Sequence, residues 1–325
     1  MRRPRVLTWH VHGAYLYYLT QTDAEFILPV REDRSDGYGG RVGDHPWGAN
    51  VREVAWDRIR SEQIDVVLCQ SRRNYEVDRF DILSDEQLEL PLVYVEHDPP
   101  REHPTDTRHP LDDPNALLVH VTHFNDLMWD SNRTPTRVIE HGVVVPYGVE
   151  YSGELERGLV VINQLEKRGR RLGADIFLRA REELPIDLIG MEARSLGGLG
   201  EVPHSQVPAF ASRYRLFFNP IRYTSLGLAV CEAMAAGIPI VALATTEMAT
   251  VIENDVNGYA DTDTEGLIGR MRMLLEDPQL ARRLGEGSRA TARERFGIDR
   301  FAREWGAALR EVAANRAGRL VEAAS

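Results

Sequence analysis

One carboxylate stands alone in the most apolar stretch of the chain. In RYTSLGLAVCEAMAAGIPIVAL, Arg222 to Leu243, Glu232 is surrounded by Ala, Val, Cys and Met. A carboxylate among such neighbours needs hydrogen-bond donors, which solvent or the hydroxyls of a ligand can supply. Just ahead of it lies the polar loop Thr224-Ser225-Leu226-Gly227. A second group is basic: Lys167, Arg168, Arg170 and Arg171 crowd one loop of a chain whose net charge is −11. Charge-assisted, often bidentate bonds make such side chains good phosphate ligands; the plainer alternative is a solvated turn. The third group is imidazole. Nine of ten histidines precede Gly142, among them His10 and His12 after a first strand, His97 after another, then His120, His123 and His141. Two patterns suggest metal binding. Asp261-Thr262-Asp263 is an Asp-x-Asp triplet, but it precedes a helix, where Asp263 suits the N-cap and Glu265 the first turn. HDPPREHPTDTRH spaces His97, His103 and His109 evenly in a Pro-rich loop without a zinc-site spacing. There is no Gly-x-Ser-x-Gly elbow and no P-loop, which removes the commonest hydrolase and NTPase readings.

The elements that must hold these groups read as alternating strands and helices. YRLFFNP, Tyr214 to Pro220, is an aromatic, strand-like run leaving into a loop. Leu228 to Ala236 is helix-forming, Gly237 suits a left-handed stop, and Pro239 prevents continuation before the strand IPIVALA. Strand, loop, helix, strand is a parallel βαβ unit, and such sheets bind ligands where loops leave the carboxyl ends of strands. The first half offers six strand candidates: RVLTWHV, EFILPV, IDVVLCQ, LPLVYVE, ALLVHVT and TRVIEHG, with a helix expected around Ala49 to Ser61. Arg31 to Gly48 is a long Gly-rich charged loop, expected to be mobile or to face substrate. Tyr147 to Gly158 lacks periodicity and is expected to link two domains. The alternation then restarts with GLVVI and PIDLIG, a helix near Leu172 to Glu183, and a helical end from Thr264 onward.

With these elements in place, the stretch Ser225 to Leu243 resembles the donor-site signature of glycosyltransferase family 4, through Ser225, Gly227, Leu228, Glu232, Ala233, Met234, Ala235, Gly237 and Pro239. The resemblance implies an α/β GT-B fold: two Rossmann-like βαβ domains facing a central cleft, with a long C-terminal helix. Residues 1–150 would form the acceptor-binding domain and 151–325 the nucleotide-sugar domain, the helix near Ile298 to Leu320 returning to the first. It implies a retaining transfer from a nucleotide-diphospho sugar to an acceptor hydroxyl, with no cofactor or obligatory metal beyond that co-substrate. Glu232 would accept hydrogen bonds from the ribose, while the amides of Thr224, Ser225, Leu226, Gly227 and Leu228 would face the donor sugar and diphosphate. Thr224 stands where the family has a Glu that contacts the transferred sugar. Asn163-Gln164-Leu165 replaces the family's Gly-Arg-Leu, with Lys167 and Arg168 favoured over Arg170 and Arg171 as diphosphate ligands. In the first domain Gly13 would pack against the diphosphate, and His97, as the catalytic-site histidine, would contact the donor sugar. Two rival readings are a non-catalytic nucleotide-sugar-binding protein and a metal-dependent hydrolase using the His-rich loop.

Bulk properties narrow the partners. At 325 residues the chain suits two domains, and 43% hydrophobic content is ample for two cores. An acidic balance argues against nucleic acid, whose phosphates need surplus Lys and Arg. The acceptor, whether glycan, lipid or small molecule, is left open. Cys69 and Cys231 lie in apolar segments, which suits a reducing cytoplasm. No run approaches the ~20 apolar residues of a membrane span, although a peripheral membrane contact is compatible with the sequence. The basic and apolar start is interrupted by His10, His12 and Gly13, unlike a secretory signal.

Overall fold

The computed structural model describes residues 2–323, with side chains through residue 314. The chain divides into two compact units, Met1–Gly142 with Ile298–Ser325, and Val143–Gly297.

The first unit is built on a seven-stranded sheet: β1 (Arg5–Thr8), β2 (Glu25–Val30), β3 (Val51–Ala55), β4 (Val66–Cys69), β5 (Leu92–Glu96), β6 (Leu117–His120) and β7 (Thr136–Val138). Its order is β3-β2-β1-β4-β5-β6-β7, and every neighbouring pair is parallel. The central strands are buried along their length, as a sheet covered on both faces requires. Six strands correspond to the sequence candidates. The expected helix around Ala49 to Ser61 is instead β3 followed by a 3₁₀ turn, Trp56–Ser61. As an edge strand β3 can expose Arg52 and Glu53, which pair with Glu62 and Arg34, so it lacks an apolar run.

The loop from Arg31 to Gly48 is anchored rather than loose. Tyr38 is fully buried and donates its hydroxyl to Asp78 (3.2 Å), while Arg31 lies over its ring. His10 Nδ1 approaches Gly40 O at 2.6 Å, and Glu53 accepts from the Arg41 amide at 2.7 Å. Beyond these anchors, Tyr17 and His45 stack at 5.0 Å beside Trp47.

The second unit has a five-stranded parallel sheet, β12-β11-β10-β8-β9, comprising β8 (Leu155–Val161), β9 (Ile186–Ile189), β10 (Tyr214–Asn219), β11 (Ile240–Leu243) and β12 (Gly258–Asp261). Helices that matter below are α1 (Gly13–Leu19) in the first unit, then α2 (Leu165–Arg168), α3 (Ala174–Glu183), α4 (Leu228–Ala236), α5 (Thr264–Glu276) and α6 (Pro278–Arg295) in the second. Leu216, Phe218, Val241 and Leu243 of the sheet pack with Phe177 of α3, Met271 of α5 and Leu284 of α6.

The units part at Gly142 and Val143, not at residue 150, and Tyr147 to Gly158 runs into β8 rather than forming a bare linker. The Val143 amide already donates to Phe296 O (3.0 Å) in the second unit. Gly142 lies so close to Phe301 that a Cβ would run into that ring. Phe301 belongs to the last helix, α7 (Ile298–Ala323), which packs on α1 and β4 of the first unit, with Phe301 and Trp305 fully buried.

Candidate functional site

In the second unit the loop after β10 and the helix after it form the centre of the site. Helix α4 starts without help. Its N-cap is Gly227 (φ −78°, ψ 140°), which offers no side chain, and its first turn carries no acidic residue. A Cβ on Gly227 would meet nothing within 4 Å, so this end opens onto space. The first amides of a helix have no internal partner and carry a partial positive charge. Ser225, beside them, is 8% exposed, and its Oγ is buried without a hydrogen-bond partner among the described residues. Thr224 is half-buried and Leu226 packs into the interior, so Leu226 can present only its backbone. Leu228 is half-buried at the first helical position.

Glu232 lies just over one turn into α4, between Cys231 and Ala233 and only 3% exposed. Helical side chains lean toward the N-terminus, so this carboxylate is carried back toward the open end. Its Oε1 faces His204 Nε2 at 2.9 Å. Sequence reasoning missed His204. The signal was its isolation as the single histidine after Gly142.

Two arginines of the basic cluster have defined contacts within the unit. Arg170 pairs with Asp175 (2.6 Å), which also takes two bonds from Arg222 (2.5 and 2.8 Å). The Arg222 contacts foremost hold the Asp175 carboxyl below its usual range. Arg171 ties the basic turn to the candidate loop: its carbonyl accepts from the Arg222 and Tyr223 amides (3.0 and 3.1 Å), and its Nη1 donates to Tyr223 O (3.4 Å). Lys167 is exposed and Arg168 half-buried, both on α2. The turn is shaped by left-handed backbone at Gln164 (φ 52°) and Gly173 (φ 80°), and a Cβ on Gly173 would collide with Pro220 O. That close approach sets α3 against the end of β10.

The first unit carries a separate aromatic and imidazole cluster at the carboxyl ends of β1 and β5. His12 is the N-cap residue of α1, and Gly13 its first helical residue. A Cβ on Gly13 would stand 3.0 Å from His10 Nε2, a tight contact that favours glycine. His97 follows β5; its ring lies 4.2 Å from that of His12 and 4.6 Å from that of Tyr15, edge to face. His97 Nε2 is buried with no hydrogen-bond partner among the described residues. Burial foremost, then the neighbouring His12 and His141, holds its imidazole well below the usual histidine range, so it is neutral at pH 7. His141 is buried beside Tyr15, and His120 is enclosed near Ser131 and Asp126, while His123 is exposed.

The metal-like patterns resolve into local structure. Asp261 accepts from the Thr262 and Asp263 amides, and Asp263 caps α5 by accepting from the Glu265 amide at 3.1 Å. His109 is buried against Glu96 (3.3 Å), His103 is exposed, and His97 lies beside His12. Among the described residues no three His, Cys, Asp or Glu side chains gather as a metal site.

Residues 195–291, the span containing the loop and Glu232, match the family described as Glycosyl transferases group 1. A stretch of 83 residues is 31% identical to N-acetyl-alpha-D-glucosaminyl L-malate synthase of Bacillus anthracis, covering 25% of this chain and 22% of that relative's length. Among solved structures, sucrose-phosphate synthase (tll1590) from Thermosynechococcus elongatus superposes with a TM-score of 0.71 at 14% identity, over 97% of this chain and 100% of the other. Anabaena Alr3699/HepE in complex with UDP-glucose superposes at 0.67 and 14% identity, over 94% and 99% of the two chains. The fold is therefore GT-B.

Proposed function

We propose that this protein is a glycosyltransferase that moves a sugar from a nucleotide-diphospho sugar to an acceptor hydroxyl, with retention at the anomeric carbon. The observation that carries the proposal is the start of α4: an uncapped helix N-terminus, an unpartnered buried hydroxyl on Ser225 and a buried carboxylate on Glu232, all within the matched span. Backbone amides at a helix start suit diphosphate oxygens, and a carboxylate suits a vicinal diol. In this reading the Val143–Gly297 unit takes the donor and the Met1–Gly142 unit takes the acceptor. Uridine diphospho-sugars are the first donors to test, because HepE binds UDP-glucose.

In the proposed reaction the bond from the anomeric carbon to the diphosphate oxygen breaks, and the diphosphate leaves with the electron pair. The acceptor oxygen bonds to that carbon on the same face and passes its proton to the departing phosphate oxygen. Such a step calls for stabilisation of the leaving charge by amides and by Lys167 and Arg168, rather than for a protein nucleophile or a metal. His97, neutral and with an unpartnered nitrogen, would hydrogen-bond a hydroxyl of the transferred sugar. The two buried cysteines, neither in a disulfide, suit a cytoplasmic setting, and no described helix is long and apolar enough to cross a membrane.

The test is UDP release from UDP-glucose and UDP-N-acetylglucosamine, with and without a panel of sugar and polyol acceptors, and with EDTA in a parallel arm. Turnover that survives EDTA supports the reading, and NMR of the product reports the anomeric configuration. Thr224, in place of a Glu, favours a second reading in which the donor binds without reacting. Calorimetric binding without UDP release would select it.

A further inference from the structure

The carboxylate of Glu232 is met from outside its own helix. Helix α4 reads LAVCEAMAA and carries no basic side chain. Its neighbour comes from elsewhere in the chain: His204 opens the short 3₁₀ turn His204–Gln206, ahead of the helix Val207–Ala211 that leads into β10. Its Nε2 lies 2.9 Å from Glu232 Oε1; the His204 side chain is 30% exposed and that of Glu232 4%. A Glu has three rotatable side-chain torsions, and a bond to one carboxylate oxygen narrows the orientations the group can take. We infer that His204 is a positioning residue that orients Glu232 for the two ribose hydroxyls of the nucleotide. This inference rests on the proposed donor site.

His204 is suited to that work. A ring nitrogen can donate to the carboxylate while the rest of the imidazole remains at the surface, so one side chain spans from solvent to the buried oxygen. Histidine also occupies few rotamers, so holding it in place costs less than holding a Lys or Arg in the same position. The arrangement separates two tasks within one carboxylate: Oε1 is fixed by the protein, and the group as a whole is aimed at a diol. Removal of His204 should therefore act on ribose recognition and leave diphosphate recognition to the amides of α4 and the basic turn.

The experiment titrates UDP, GDP and ADP into the full chain by calorimetry and carries the tightest binder forward with its 2′,3′-dideoxy form. The variants are His204→Ala, His204→Gln and Glu232→Gln, each checked for an intact fold by its melting curve. The wild type should prefer the ribonucleotide. His204→Ala should weaken ribonucleotide binding about ten-fold, the loss expected of one hydrogen bond to a charged group, and leave the dideoxy form within about two-fold. His204→Gln, whose amide can still donate, should recover part of the preference. Adding His204→Ala to Glu232→Gln should cost little further, since the two act as one unit.

Equal weakening of both nucleotides by His204→Ala, or no weakening of either, would overturn the positioning role and leave the donor site standing. A wild type that binds a nucleoside diphosphate without ribose preference would overturn both the Glu232 ribose assignment and the role of His204. Absence of binding by all three nucleotides at millimolar concentration would overturn the donor-site reading itself, and this inference with it.

Discussion

Ser225→Ala should strengthen the empty protein and weaken its ligand complex, two effects of opposite sign from one oxygen atom. The hydroxyl is buried without a partner among the described residues, at 8% residue exposure. A buried polar group left unpaired costs about 1–3 kcal/mol. Alanine keeps the Cβ and removes that cost, so the unliganded protein should gain about 1 kcal/mol. For a unit of this size the gain corresponds to a rise in Tm of roughly 2–4 °C. In the complex, a hydroxyl donating to a charged diphosphate oxygen is worth about 1.5–3 kcal/mol, or roughly 10- to 150-fold in Kd. A bond to a neutral sugar hydroxyl is worth only about 0.5–1.5 kcal/mol, and its loss would appear with UDP-glucose but not with UDP. Melting curves without ligand and calorimetric titrations with UDP and UDP-glucose read both effects. A lower Tm in the variant would show that the hydroxyl has a structural partner. Unchanged affinity for both ligands would remove Ser225 from the site.

Arg168→Ala should weaken nucleoside-diphosphate binding by about 1.5–3 kcal/mol and the free nucleoside much less; equal losses in calorimetry would exclude a phosphate contact. His97→Ala should lower kcat more than it raises the Kd for the donor, because its proposed contact is to the reacting sugar, and an unchanged kcat with an intact fold would refute that role. Thr224→Glu should leave UDP affinity nearly unchanged and shift the ranking of donor sugars several-fold, as one sugar hydrogen bond of about 0.5–1.5 kcal/mol requires; equal weakening of bare UDP would contradict it. Acidification should destabilise the protein as pH falls below about 6.5, the ordinary histidine value. Burial lowers His97 well below that value and His120 to about 4, so the unfolded chain takes up protons there that the native chain does not. The slope reaches about 1.4 kcal/mol per pH unit for each such group, and a Tm that stays flat from pH 7 to 5 would refute it.

What was legible in the sequence was local. Strand β10, the loop, α4 and β11 could be placed because every boundary carries its own residue: Pro220 after the strand, Gly227 at the helix start, Gly237 and Pro239 after its end. That Glu232 would be a carboxylate on a buried helix followed from its neighbours along the same helix. What was not legible depended on partners distant in sequence. β3 carries charges because it lies at a sheet edge, a fact only the strand order reveals. The loop after β2 looked free because nothing local announces that Tyr38 will be buried over Asp78, 40 residues away. His204 likewise drew no reading, because its partner Glu232 lies on α4, 28 residues on. The basic turn fell between these cases. Its charge was visible, but the pairing of Arg170 and Arg222 with Asp175 was not.

The two ends of α4 are finished differently. Its carboxyl end is completed by the protein itself. The Gly237 amide donates to Met234 O (2.9 Å) and the Ile238 amide to Ala233 O (3.0 Å), closing the turn with Gly237 at φ 86°. Arg289 of α6 then donates to Ala236 O at 2.8 Å, placing positive charge at the negative end of the helix dipole. α6 approaches closely here, and a Cβ on Gly285 would collide with Gly237 O. None of these devices is repeated at the amino end, where Gly227 supplies no cap and the first turn no acid. A capping Asp or Ser side chain would stabilise the helix over Gly227 by about a few tenths of a kcal/mol. Such a side chain would occupy the amides that the proposed donor site leaves for the diphosphate, so in that reading the Gly227 cap trades a little helix stability for an open end.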